Sequence, residues 1–344
     1  MGGKMTWMHR IALSLLCCLA ASTFATAAPD DTLLDRLVAL ETRCDTLCSP
    51  ADGKADLRAQ IEVIAERLRT ALNAAGKPSG AAAGTSSAAG ATSSAPAASA
   101  HDTAAARVEA LNRFLFDGLG LRASPDLKDP DNLFLSRVLA RKQGYCVGIA
   151  SLYLVLAERL GLPIRAVATP AHVFLRYDDG VARLNIETLQ RGAAIPDDRY
   201  VREQRIPPRA IRKGIFLRDL TADEFMAQVL NNLGVIYSER KEYAEAEAQY
   251  EDALHLDPRQ AAAWYNSGND LLARAAYRRA ARCFTKALRL WPADVWALNN
   301  RGVTFLKMSR PGKARRDFEA ALALDPGFEA ARKNLRALEE GSSP

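Results

Sequence analysis

Residues 143–188, QGYCVGIASLYLVLAERLGLPIRAVATPAHVFLRYDDGVARLNIET, decide the fold of the middle of this chain. The apolar run at 146–160 predicts a helix, which a Gly-Leu-Pro sequence then ends. Runs of strand-forming residues follow, at 164–168, 171–177 and 181–187. An Asp-Asp-Gly turn joins the last two runs as a hairpin. A helix followed by antiparallel strands predicts an α+β domain, and earlier helical segments are predicted at 108–121 and 133–140.

Three side chains in this stretch have the chemistry of a nucleophile, a base and an orienting group. Cys146 begins the predicted helix, where the positive end of the helix dipole favours a thiolate. His172 and Glu187 fall on the two strands of the hairpin, so they can lie side by side on one face. One ring nitrogen would then meet the carboxylate and leave the other for the thiol. Asn185, on the same side as Glu187, is the alternative orienting group.

The sequence around these side chains resembles the bacterial transglutaminase-like superfamily. The shared features are a Gly-x-Cys helix start at 144–146, a Gly-Leu-Pro-x-Arg-x-Val turn at 161–167, a histidine before a hydrophobic strand, and an acid about fifteen residues later. The resemblance covers roughly residues 105–220 and implies a papain-like core. Without it, a core cysteine and a structural histidine would be the simpler interpretation.

The resemblance also implies acyl transfer from an amide, by a peptidase, an amidase or a cross-linking enzyme. It makes Cys146 the nucleophile, His172 the base and acid, and Glu187 the orienting carboxylate. Glu187 stands where the family more often has aspartate, and the interval between the cysteine and the histidine is short. The backbone N–H of Cys146 and the side chain of Gln143 are candidate oxyanion donors. Some repeat-bearing relatives lack the cysteine, so a non-catalytic protein is the alternative.

A 34-residue repeat occupies residues 227–328. Five sets of residues recur in phase: Pro258, Pro292 and Pro326; Gly234, Gly268 and Gly302; Ala253, Ala287 and Ala321; Tyr250, Phe284 and Phe318; Ala246, Ala280 and Ala314. This tetratricopeptide pattern predicts an all-α solenoid of three repeats and a capping helix over 221–340.

Helix spacing places polar and aromatic side chains on the concave face of the predicted solenoid. These side chains are Asn231, Ser238, Tyr265, Asn269, Trp296 and Asn299. By analogy with other solenoids, we expect this face to bind a protein or peptide partner. Packing against the preceding domain is the alternative.

Residues 1–27 have the organisation of an export signal. A basic start, a short apolar core and an Ala-Thr-Ala sequence predict cleavage after Ala27 and a periplasmic or secreted protein. An uncleaved anchor and a lipoprotein are the alternatives, and the leucine that precedes Cys17 argues against lipidation.

Two further segments separate this signal from the α+β domain. Residues 28–73 predict a helical hairpin or short coiled coil, which offers a route to self-association through residues 29–73. Residues 74–103, rich in Ala, Gly and Ser, predict a disordered linker. A disulfide between Cys44 and Cys48 stays open, because its geometry depends on whether the chain turns between them.

Composition limits the functions that this chain can have. The formal net charge of +6 falls to +4 once Lys4 and Arg10 leave with the signal, an excess too small to indicate a nucleic-acid partner. No His, Cys, Asp and Glu residues show metal-ligand spacing and no glycine-rich phosphate loop occurs, so we expect neither a metal nor a cofactor. We also expect no integral membrane span after signal cleavage.

Together these observations predict a multidomain protein. An N-terminal helical segment precedes an α+β transglutaminase-like domain at 104–220, which is followed by an all-α TPR solenoid. Such a protein is either an exported cysteine acyl-transfer enzyme whose repeats recruit a partner, or a non-catalytic periplasmic scaffold.

Overall fold

The computed structural model describes residues 31–44, 47, 56–75 and 100–340. The predicted signal, Cys48 and most of the predicted linker lie outside the described residues. The first elements are α1 (Leu33–Arg43), α2 (Leu57–Ala75), α3 (Ala100–Arg113), a π-helical turn (Phe114–Gly118), β1 (Arg122–Ala123), a 3-10 turn (Pro130–Asn132), α4 (Leu135–Arg141) and β2 (Gln143–Gly144).

The apolar helix α5 (Cys146–Leu160) has the bounds that the sequence predicted. Its side chains are buried on nearly every side, because it contacts α2 and α4 as well as the following strands. Gly161 ends it with a φ of +63°, a left-handed conformation that glycine adopts without strain.

A three-stranded antiparallel sheet follows α5. Its strands are β3 (Ile164–Ala168), β4 (Val173–Asp178) and β5 (Arg183–Ile186), in the order β3-β4-β5. Ala166 pairs with Leu175, and Arg176 pairs with Asn185. A second 3-10 turn (Thr188–Gln190), α6 (Asp197–Glu203) and α7 (Pro208–Arg212) complete this part of the chain. The predicted hairpin is therefore confirmed, with strands shorter than the sequence suggested.

Two features of this part differ from expectation. The helix predicted at 108–121 begins earlier, at Ala100, and widens into the π-helical turn at Phe114. β1 and β2 form a short parallel pair, which the sequence analysis missed. A two-residue strand carries no alternation of polar and apolar side chains, so only its tertiary partner reveals it.

The repeat region consists of α8 (Ala222–Glu239), α9 (Tyr243–Leu256), α10 (Ala261–Ala273), α11 (Tyr277–Leu290), α12 (Val295–Lys307), α13 (Pro311–Leu324) and α14 (Glu329–Glu339). Consecutive helices pack as pairs, and α14 covers the last pair as the predicted capping helix. A β-carbon at Gly268 would lie 2.7 Å from the Phe284 ring. Gly234 and Gly302 meet their aromatic partners in the same way, so the repeat keeps glycine where two helices touch.

The described chain divides into two compact units. One contains the described residues of 37–168 together with 172–199, and the other contains 31–36, 169–171 and 200–340. Residues 200–220 thus belong to the unit with the repeats, whereas the sequence placed the boundary at residue 220. Over the described ranges, none of the helices combines the length and apolar character that crossing a membrane requires.

Candidate active site

Cys146 is the first residue of α5, and backbone contacts with Asn132 hold this end of the helix in place. Tyr145, in an extended conformation, donates its backbone N–H to the carbonyl of Asn132 at 3.0 Å. A β-carbon on Gly148 would lie 2.2 Å from that same carbonyl oxygen, so a glycine is needed for the 3-10 turn to approach the helix start. The glycine that follows the cysteine in the sequence thus serves to position the thiol.

His172 and Glu187 meet at the open end of the hairpin. His172 precedes β4 and Glu187 follows β5, and the ring Nε2 lies 2.9 and 2.8 Å from the two carboxylate oxygens. The Glu187 Oε1 also accepts the backbone N–H of Leu189 at 3.0 Å, and the residue is 3% exposed. Because the carboxylate takes Nε2, Nδ1 is the ring nitrogen left for a thiol.

The third contact joins the histidine to the cysteine. The His172 ring is hydrogen-bonded to the Cys146 side chain as well as to Glu187. Burial opposes protonation of the ring, but the hydrogen bonds and charges of these two partners outweigh it and raise the pKa of His172 to about 10. An imidazole that keeps its proton at neutral pH beside a thiol suits a thiolate–imidazolium pair.

A second set of contacts holds the loop that carries Glu187. The Glu187 backbone N–H donates to Ala193 at 2.9 Å, and the Gly192 N–H donates to the Glu187 carbonyl at 2.8 Å. Asn112, on α3, donates to the Gly192 carbonyl at 3.0 Å and accepts from the buried Tyr153 hydroxyl at 2.8 Å. Asn112 therefore links α3 and α5 to the loop that carries the carboxylate.

Asn185 is not the orienting group. Its side-chain amide accepts from Arg176 Nε at 3.0 Å and donates to Asp197 and to the Ile195 carbonyl, each at 2.7 Å. Arg176 is fully buried and also donates to both carboxylate oxygens of Asp197, at 2.6 and 2.8 Å. The Asn185 amide therefore makes its hydrogen bonds to Arg176, Asp197 and Ile195, and not to the His172 ring.

Gln143 lies beside the thiol-bearing turn, on β2. Its side-chain amide donates to the Asn132 side-chain oxygen at 3.3 Å, which uses one of its two hydrogens. The oxyanion role of Gln143 stays a prediction. The Cys146 N–H belongs to the first turn of α5, where backbone donors have no partner within the helix.

The thiol itself is covered. Cys146 is 2% exposed, whereas the His172 side chain is 16% exposed. The Tyr145 hydroxyl is hydrogen-bonded to the Cys146 side chain; burial, together with this neighbour, raises the pKa of Tyr145. The Tyr145 hydroxyl is therefore one of the groups that cover the thiol.

Most of the side chains predicted for partner binding form a ladder between repeats, here called the asparagine ladder. Its hydrogen bonds are Asn266 to Asn231 at 3.0 Å, Asn300 to Asn269 at 2.9 Å, Asn300 to the Tyr265 hydroxyl at 3.3 Å, and Asn334 to Asn299 at 2.9 Å. Asn231 and Asn299 are each 6% exposed. Trp296 differs, because it is 55% exposed and packs edge-on against Phe328.

Sequence reasoning missed several residues that build the site. Asn132, Asn112 and Tyr145 each contact a site residue or its loop, yet neither asparagine stands in a motif. The sequence offered a signal for Tyr145 only, because this residue lies within the Gly-x-Cys motif. Asn112 and Asn132 act from other elements, and no local pattern brings them to the site.

The fold and this site define a transglutaminase-like protein with tetratricopeptide repeats. Residues 55–231 match the family model of the transglutaminase-like superfamily, and residues 227–260 and 265–327 match models of the tetratricopeptide repeat. The chain belongs to the transglutaminase-like superfamily, as the sequence predicted.

Curated relatives share about half of the chain. A UPF0162 protein of Xylella fastidiosa (strain 9a5c) is 28% identical over an alignment of 180 residues that covers 47% of this chain and 60% of that protein. F-box only protein 21 of Homo sapiens is 27% identical over an alignment of 157 residues that covers 44% of this chain and 23% of that protein. The chain thus spans less than two thirds of the length of either relative.

Solved structures of tetratricopeptide-repeat domains are similar to about a third of the chain. The TPR domain of Arabidopsis OM64 is 24% identical, with a TM-score of 0.34, over 34% of this chain and 98% of that chain. The first TPR domain of Spaghetti, described as bound to an HSP90 peptide, is 23% identical, with a TM-score of 0.33, over 33% of this chain and 91% of that chain.

Proposed function

We propose that this protein is an exported cysteine acyl-transfer enzyme of the transglutaminase-like type. One observation carries the proposal: the His172 ring is hydrogen-bonded to the Cys146 thiol and, through Nε2, to the buried Glu187 carboxylate. Nucleophile, base and orienting group are thus in contact before any substrate binds. Export rests on the signal-like sequence of residues 1–27.

The geometry suits the following steps. In the starting thiolate–imidazolium pair the Cys146 proton is already on the His172 ring, and the sulfur attacks an amide carbonyl to form a tetrahedral intermediate, whose oxyanion the Cys146 N–H faces. The C–N bond then breaks, and the amine leaves with the proton from His172. Water or a second amine, deprotonated by His172, attacks the thioester and releases the sulfur. Glu187 holds the ring orientation and stabilises the imidazolium throughout.

The repeats are proposed to recruit the protein or peptide that is modified. Exposed Trp296 offers an aromatic anchor beside the asparagine ladder. The ladder residues already bond one another, so Asn231, Tyr265, Asn269 and Asn299 would meet a partner through their remaining donors and acceptors.

Alkylation kinetics at each cysteine test the activated thiol. The full-length protein is treated with iodoacetamide at pH 6.5, and modification of Cys146 and Cys283 is followed by peptide mapping. Cys283 is a matched control, because it is also buried and its pKa is raised by that burial. We expect Cys146 to react about 100-fold faster, and His172→Ala to remove the difference. Equal rates at the two cysteines would refute activation.

Burial of Cys146 favours a second candidate function, a non-catalytic periplasmic scaffold. With 2% of its surface exposed, the thiol also fits a core residue hydrogen-bonded to Tyr145. In this case, Cys146→Ser leaves the set of proteins cross-linked to the chain in cells unchanged. If the chain is an enzyme, the same substitution traps or loses its substrates. Comparing the two sets by mass spectrometry separates the candidates.

A further inference from the structure

A basic depression lies on the repeat unit and is built from α11 and the end of α12. Its volume is about 470 Å³. Five exposed cations surround it: Arg278, Arg282, Lys286, Arg289 and Arg310. Phe305 and Met308, both half-buried, supply an apolar floor. None of these residues belongs to the asparagine ladder, so this surface is distinct from the one proposed above to recruit a partner.

The five cations differ in their ion pairing from several arginines elsewhere in the repeat unit. Arg301 is paired with Asp317 at 2.7 Å, and Arg274 and Arg279 share Glu247. Within the part of the chain that the structure describes, none of the five cations around the depression forms an ion pair with a carboxylate. Helix α11 itself contains no Asp or Glu. Lys286 lies over the Trp264 ring, 5.6 Å from its centroid, a contact that does not neutralise its charge. The repeat unit thus pairs Arg274, Arg279 and Arg301 with carboxylates and leaves the five cations around the depression to act on an external anion.

The spacing of the cations points to an extended chain. Four of them recur along α11 at intervals of four, four and three residues, which place them about 6, 6 and 4.5 Å apart along one stripe. Alternate side chains of an extended peptide are about 6.6 Å apart and point to the same side. The stripe, about 16 Å long, matches roughly five extended residues.

The depression suits a peptide better than a nucleic acid. Single-stranded nucleic acids bind basic grooves by stacking bases on aromatic faces. The Phe305 ring already has cations against it, with the Arg301 guanidinium 6.0 Å and the Lys313 ammonium 5.5 Å from its centroid. Met308 and Ala281 supply the rest of the apolar lining, which suits an apolar side chain between two carboxylates.

We propose that this depression binds an extended acidic peptide segment of a partner protein, with carboxylates at alternate positions and apolar residues between them. The carboxylates pair with the stripe on α11, and an apolar side chain contacts Phe305 and Met308. The acidic segment is bound whether or not Cys146 is catalytic.

Fluorescence anisotropy with the full-length protein tests this site. The probe is a fluorescein-labelled heptapeptide of alternating Glu and Val. A peptide of the same composition with its glutamates in one block tests the spacing. Arg282→Gln combined with Lys286→Gln removes two cations from the stripe, and Arg315→Gln combined with Arg332→Gln is the matched control. The control residues are half-buried and paired with Glu339 and Glu329, and both double variants lose two charges.

We expect the alternating peptide to bind, and the stripe variant to weaken binding roughly three- to tenfold while the control changes it less than twofold. Added salt should weaken binding, because exposed charges are screened. Equal binding by the stripe variant, or equal binding of the block peptide, would overturn the proposal. Tighter binding of oligo-dT or of anionic phosphatidylglycerol vesicles, with competition against the peptide, would instead assign the depression to a different class of ligand.

Discussion

Replacing Gly148 with alanine tests how the nucleophile is positioned. The new β-carbon would lie 2.2 Å from the Asn132 carbonyl oxygen, and real contacts of this kind essentially never fall below 3.0 Å. The carbonyl or the helix must therefore move by about 0.8 Å, enough to break the 3.0 Å hydrogen bond from Tyr145. Overpacking costs about 1–3 kcal/mol and the lost bond about 1 kcal/mol, while alanine in a helix returns about 0.5–1 kcal/mol. The expected net loss of stability is about 1–3 kcal/mol.

Urea unfolding, followed by two probes, measures this loss. Trp264, Trp291 and Trp296 lie in the repeats and Trp7 lies in the predicted signal, so tryptophan fluorescence of the chain without residues 1–27 reports on the repeats. Far-ultraviolet circular dichroism reports on helices of both units. Gly148→Ala should lower the midpoint of the circular dichroism transition and leave the fluorescence transition in place.

Gly268→Ala is the reciprocal control for this prediction. Its β-carbon would lie 2.7 Å from the Phe284 ring, so it should destabilise the repeats and shift the fluorescence transition. Gly148→Ala should also slow alkylation of Cys146, because the helix start moves. If Gly148→Ala leaves both the unfolding curves and the alkylation rate unchanged, the close approach of Asn132 does not position the thiol and the reasoning is refuted.

Three further substitutions probe the site and the repeats. Glu187→Gln should lower the pKa of His172, measured by NMR titration. The pKa of His172 rises from its ordinary 6.5 to about 10 on folding. Protonated His172 therefore stabilises the fold fully below pH 6.5, and this stabilisation is lost as the pH rises through 10. An unchanged titration of His172 in the variant would contradict its contact with Glu187. Asn112→Ala leaves the Tyr153 hydroxyl buried without its acceptor and should cost about 1–3 kcal/mol in thermal unfolding, and Tyr153→Phe in the same background should recover part of it. Asn300→Ala removes two bonds of the asparagine ladder and should cost about 1–2 kcal/mol by tryptophan-detected urea unfolding, whereas a loss below 0.3 kcal/mol would show that the ladder contributes nothing.

Local patterns in the sequence predicted the main elements because each pattern corresponds to one local structure. The apolar run of α5 and its glycine cap determined both ends of that helix. The 34-residue period identified the repeats because each glycine meets an aromatic ring of the paired helix. The sequence also predicted that Cys146, His172 and Glu187 come together, since all three lie within one helix and one hairpin.

The tertiary structure decided what surrounds those three side chains. Asn185 and Glu187 are two residues apart, which places both on the same side of the predicted strand, and the sequence could not choose between them. The choice follows from Arg176, which is fully buried and needs the Asn185 amide and Asp197 to satisfy its donors. Asn112 and Asn132 likewise reach the site from separate elements. Local sequence determines a helix or a hairpin because its hydrogen bonds join near neighbours, whereas a buried polar group takes its partner from wherever the fold brings one.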